Sequence, residues 1–81
     1  MGIRAAISKA GLHARPAAVF VKAVLDSGAT VHVGRRDGAP VDARSIVSVL
    51  ALDIQPGERL VLTGGDEELL DRLAALLEAD Q

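Results

Sequence analysis

The amino-acid sequence predicts an α+β fold in the order β-α-β-β-α-β-α, with a four-stranded antiparallel sheet covered on one face by three helices. Three observations carry this. The apolar period switches repeatedly between two and about 3.6 residues along the chain. The connections are short and rich in Gly, Pro and Asp, which favours hairpins over long crossovers. Finally, 81 residues with 49% hydrophobic content and no Cys allow one core without disulfide staples, so a single domain over 1–81 is expected.

Each element has its own signal. Ile3, Ala5 and Ile7 alternate with Arg4 and Ser8, the pattern of a half-buried strand with the isoleucines inward. Gly11 breaks it. From Pro16 the apolar residues Ala17, Phe20, Val21, Val24 and Leu25 fall at helical spacing, with Lys22 and Asp26 on the other side, until Gly28 stops the helix. Thr30 to Gly34 alternates again, with Val31 and Val33 on one face, and Asp37-Gly38 is a dipeptide that accepts positive φ in a tight hairpin before a short strand through Val41. Ser45 precedes the apolar run Ile46 to Leu52, a short helix capped by the Ser hydroxyl. Pro56-Gly57 makes a turn, and Leu60 and Leu62 alternate with Arg59 and Val61 as the last strand. After Gly64-Gly65, Asp66 caps a helix with Glu67 and Glu68 in its first turn, packing through Leu69, Leu70, Leu73, Leu76 and Leu77.

Composition excludes several functions. A net charge of −2 and Phe20 as the lone aromatic residue argue against nucleic acid as a partner. No run of about 18 apolar residues occurs, and no basic stretch leads into a long apolar run, so no membrane insertion and a cytoplasmic location are expected. The absence of Cys removes redox chemistry, and two histidines without Cys make a poor metal site, so neither metal nor cofactor is expected. The Arg35-Arg36 doublet reads as solvated charge at a turn tip, and His32 as an exposed residue on the outer face of its strand.

The chemistry concentrates in "GLHARPAA", residues 11–18. The start of the first helix, the segment of Ala14, Pro16 and Ala17, turns its unpaired N–H groups toward this loop and attracts anions such as a phosphoryl group. Pro16 is tolerated in a first turn because its missing N–H has no partner there. His13 can act as a nucleophile in reversible transfer near neutral pH, since neutral imidazole is abundant and a phosphorylated ring nitrogen leaves well. Arg15 supplies a planar fork that can hold two phosphate oxygens. A lone His at a helix start is more often a solvated or capping residue, and no Asp or Glu in the loop partners it, so the stretch alone does not decide for the phosphoryl role.

"GLHARPAA" resembles the active-site signature of the histidine-containing phosphocarrier (HPr) family of the bacterial phosphoenolpyruvate-dependent sugar phosphotransferase system (PTS). "ARSIVSVLALDIQPGERLVLTGGDEELLDRL" is similar to that family's second half, so the likeness covers nearly the whole chain. It implies an HPr-like open-faced β-sandwich, a monomer, in which His13 carries phosphate on Nδ1. The phosphoryl group would come from enzyme I and pass to enzyme IIA domains of sugar permeases, making the chain a phosphoryl carrier and not an enzyme. The resemblance also implies Arg15 as the phosphate-stabilising residue and a docking surface of Ala18, Lys22, Ile46, Val47 and Leu50, with Val47 and Leu50 exposed. Ser45 matches the serine phosphorylated by an HPr kinase/phosphorylase in some branches, although a cap explains a Ser there as well.

The chain departs from the family pattern in a short amino end, one extra residue between His13 and Ser45, a polar Ser48, and Asp53 where glycine is common; none of these is expected to touch the phosphorylation loop. Two alternatives remain open in the sequence. One is a carrier in a nitrogen-regulatory or dihydroxyacetone kinase phosphoryl chain, and the other is a non-phosphorylated regulatory binding module that has no need of His13.

Overall fold

The computed structural model describes residues 2–79. Its elements are β1 (Ile3–Ser8), α1 (Ala14–Ser27), β2 (Val31–Gly34), β3 (Val41–Asp42), α2 (Ile46–Ala51), β4 (Glu58–Gly64) and α3 (Glu67–Glu78), the predicted order. The sheet runs β1-β4-β2-β3, every neighbouring pair antiparallel. All three helices lie on one face, and the core between helices and sheet holds Phe20 and Val24 from α1, Val31 and Val33 from β2, Leu60 and Leu62 from β4, and Leu70 and Leu73 from α3. Each of these side chains gains roughly 1.5–3 kcal/mol by leaving water, so the sheet and helices stabilise one another and neither would persist alone.

β1 is turned over relative to the expectation from its pattern. Ile3, Ala5 and Ile7 point to the open face of the sheet, and Ile3 is 74% exposed, while Ala6 and Ser8 are buried. Pairing decides this. Arg4 lies opposite Leu62 and Ala6 opposite Leu60, and directly opposed residues share a face. The inward leucines of β4 therefore set the phase of β1. Its small inner residues let α3 pack close, Arg4 pairs with Asp71 of α3, and the Lys9 N–H bonds the Leu77 carbonyl at 2.9 Å.

Other differences are local. α1 begins at Ala14, two residues before Pro16, and Leu25 is exposed, because the buried stripe follows Ala17, Phe20, Val21 and Val24. Gly28 ends α1 in the left-handed conformation, φ +73°, with its N–H on the Leu25 carbonyl. The β2–β3 turn closes through the Gly38 N–H to the Arg35 carbonyl at 3.1 Å, and neither Asp37 nor Gly38 takes a positive φ, so the connection is a longer loop instead of a two-residue hairpin turn. The Ser45 and Asp66 caps form as expected, each side chain accepting from the third N–H of its helix, Ser48 at 3.2 Å and Leu69 at 2.7 Å.

Candidate functional site

Two loops meet at one end of the sheet, and the sequence shows why they can. Gly11 sits at φ +78°, and a Cβ there would stand 2.9 Å from the Ile54 carbonyl oxygen, so only glycine permits both the turn and the approach. Leu12 and Ile54 are fully buried, and the Leu12 N–H bonds the Ile54 carbonyl at 3.0 Å. Beyond them the Gly57 N–H reaches the Ser8 carbonyl at 2.7 Å. This closure places residue 13 against residues 53–55.

His13 is the N-cap of α1, with extended backbone and no capping bond from its side chain, which is 44% exposed. Ala14 follows at φ +43°, a left-handed conformation costly for a non-glycine residue. Pro16, at the third helical position, has no N–H, so the bond that Ser45 and Asp66 make in their helices has no donor here. The Ala17 N–H already leans on the His13 carbonyl at 3.5 Å. Of the three residues expected to face an anion, only Ala14 thus offers an open N–H, joined by that of Arg15, which the sequence reading named for its side chain alone. No acidic residue occupies the first turn, so no side chain of the helix itself offsets its positive end. The Arg15 side chain is exposed, and among the described residues no carboxylate pairs with it.

The imidazole is held by its Nε2 edge. Gln55 Nε2 lies 3.3 Å from His13 Nε2, and Asp53 Oδ1 lies 3.7 Å from the same atom. The expectation that no departure touches the phosphorylation loop is therefore overturned: Asp53 reaches it across the loop closure. Asp53 adopts φ +53°, where glycine is at ease, and Gln55 Nε2 donates to both its carbonyl and its Oδ1 at 3.1 Å. Arg35, read from sequence as a solvated charge, fastens this loop. Its Nε and Nη2 donate to Glu58 at 2.7 and 2.9 Å and its Nη2 to the Asp53 carbonyl at 3.3 Å, while the Gln55 N–H donates to Glu58 at 2.7 Å. The Arg35 hydrogen bonds, aided by that amide, hold the Glu58 carboxyl down at about 2. The only sequence signal for this cluster was an aspartate in a position suited to glycine.

On α1 the residues Arg15, Ala18, Val19 and Lys22 share an exposed face at helical spacing. Lys22 is engaged in an ion pair with Asp26 at 2.8 Å. α2 is exposed at Ile46, Val47 and Leu50, with Val47 at 74%, and buries only Val49. Val19 belongs to the same group of uncovered apolar residues, although its place in the helical pattern did not single it out. His32 is half-buried on β2, opposite Asp42 of β3 and remote in the sheet order from β1.

Together the open-faced sheet, the uncapped start of α1 and the edge-held imidazole define a class: small α+β proteins that present one histidine beside a free helix N-terminus. Residues 5–79 match the family model described as "PTS HPr component phosphorylation site". The chain belongs to the PTS HPr family. It is 47% identical over 70 residues to the phosphocarrier protein HPr of Streptomyces coelicolor, covering 83% of this chain and 75% of that one. It is also 34% identical over 71 residues to a multiphosphoryl transfer protein of Salmonella typhimurium, of which it spans 19%. A crystal structure of a phosphocarrier protein HPr from Bacillus anthracis superposes with a TM-score of 0.85 at 34% identity, covering 95% of this chain and 96% of that chain.

Proposed function

We propose that the chain carries a phosphoryl group on His13 Nδ1, accepting it from phosphorylated enzyme I and passing it to enzyme IIA domains for sugar uptake, in the cytoplasm. The observation that supports this reading best is the pairing of a half-exposed His13 with the uncapped start of α1, which has no acid in its first turn, and with Arg15, which no carboxylate pairs among the described residues. The Nδ1 lone pair forms the new N–P bond as the donor's bond to phosphorus breaks, and the electron pair of that bond stays with the donor atom. The Ala14 and Arg15 N–H groups and the Arg15 fork receive the phosphoryl oxygens and offset their charge without reorganisation. Transfer onward reverses these roles, and no step consumes a small substrate, so the chain acts as a carrier. Ala18, Lys22, Ile46, Val47 and Leu50, with Val19, form the docking surface, apolar at the centre with the charges of Arg15 and Lys22 alongside.

No helix among the described residues is long and apolar enough to cross a membrane, which suits a diffusible shuttle. Incubation with enzyme I and phosphoenolpyruvate is expected to add one acid-labile phosphate by intact mass, and His13→Ala to add none. An unchanged mass gain in that variant removes His13 from the reaction. The likeness to multiphosphoryl transfer proteins favours one second reading, service in another phosphoryl chain such as a nitrogen-regulatory or dihydroxyacetone kinase route. Comparing phosphate delivery from the loaded chain to IIA domains of each kind separates the two.

A further inference from the structure

A neutral imidazole carries one proton, and only when Nε2 holds it is the Nδ1 lone pair free to attack phosphorus. What faces Nε2 therefore decides whether the ring is poised. Two neighbours compete for that atom. The Gln55 side-chain amide, at 3.3 Å, is a donor and favours a bare Nε2; the Asp53 carboxylate, at 3.7 Å, is an acceptor and favours a protonated one. The Gln55 amide has two protons and two nearer acceptors, the Asp53 carbonyl and Oδ1, both at 3.1 Å. Satisfying these leaves Nε2 facing the carboxylate.

We propose, on the basis of the carrier reading above, that Asp53 is a positioning residue for phosphoryl transfer, its carboxylate holding the proton on His13 Nε2 so that Nδ1 is the phosphoryl acceptor. The backbone supports a dedicated placement. Asp53 sits at φ +53°, a conformation disfavoured for a side chain with a Cβ, and is kept there by its N–H on the Leu50 carbonyl at 3.1 Å and by Arg35 on its own carbonyl. Strain maintained by neighbours on both sides points to a use for the side chain so displayed. The same proton remains on Nε2 while Nδ1 carries phosphate. The ring then bears positive charge beside the phosphoryl oxygens, the carboxylate stabilises that charge, and the ring leaves as neutral imidazole when the N–P bond breaks. Acceptance and donation thus proceed without a change in the proton count on His13.

The test reads the ring directly. Protein labelled with ¹⁵N in histidine is examined unphosphorylated by ring-nitrogen NMR in wild type, Asp53→Asn and Asp53→Gly, with His32 as the internal reference. Glycine relieves the backbone and asparagine keeps the shape without the charge, so both variants are expected to fold. The ratio of Nε2–H to Nδ1–H forms of His13 is expected to fall about threefold in both, the size of an exposed charge interaction, with His32 unmoved. Acceptance from phosphorylated enzyme I should slow by a similar factor. An unchanged ratio, or a ratio changed in Asp53→Gly alone, overturns the proposal, because the carboxylate charge would then have no hold on the proton. The tautomer ratio needs no phosphoryl donor, so a wild-type protein that enzyme I cannot load counts against the carrier reading and leaves the Asp53 measurement standing on its own.

Discussion

The starts of α1 and α3 are built in opposite ways. Asp66 caps α3 with a 2.7 Å bond to the Leu69 N–H, and Glu67 and Glu68 complement the helix dipole. α1 has a histidine with no capping bond, a proline where the capping donor should be, and no acid in its first turn. One terminus has its third N–H capped and its dipole met by acidic side chains of its own first turn, and the other has neither. A helix end that lacks a side-chain cap costs stability, and its retention beside a half-exposed imidazole accords with the phosphoryl site proposed above.

The contrast can be broken by substitution. The largest effect is expected for His13→Ala, which should abolish phosphate uptake measured by intact mass while shifting unfolding by less than about 0.5 kcal/mol, since no cap bond is lost. Arg15→Lys keeps the charge but not the planar fork, and should slow acceptance about tenfold in rapid-quench kinetics with the melting temperature unchanged. Asp66→Ala should do the reverse, lowering stability by about 1 kcal/mol in urea titration and leaving acceptance as in wild type. Ser45→Asp retains an oxygen acceptor for the Ser48 N–H and sharpens the comparison at a third helix start. Stability should change by at most about 1 kcal/mol, while the apparent KM for enzyme I rises about threefold over Ser45→Ala, because the added charge lies beside Val47 and Leu50. Equal KM values would leave Ser45 as a cap alone.

The smallest effect concerns the loop that holds the imidazole. Glu58 drops from 4.5 to about 2 on folding, so its contribution to stability is complete above pH 4.5 and disappears as pH falls through about 2. Glu58→Gln should lose that contribution at neutral pH, and its unfolding free energy should converge on wild type as the solution is acidified across that interval.

Much of the fold was legible because its signals are local. Element order follows from periodicity, and Ser45, Asp66 and Gly28 mark helix ends through bonds made within one turn. The facing of β1 was not legible from its own residues, because Leu60 and Leu62 across the ladder settle it. At the site, His13 and Arg15 stood out by residue type beside a helix start. Gln55 and the Arg35–Glu58 clamp did not, and Asp53 showed only as a departure from glycine, since Asp53 and Gln55 meet His13 only when the absence of a Cβ at Gly11 lets two distant loops close, and the clamp acts through those two residues.

α2 has a further consequence. Six residues holding one buried side chain cannot sustain a helix by propensity, so its amides should exchange with solvent through local opening well before those of α1 or α3. A partner seated on Val47 and Leu50 would have to quiet that opening, so part of the association free energy would go into ordering the segment. Slowed deuterium uptake in α2 would then report docking even where no distance in the fold changes.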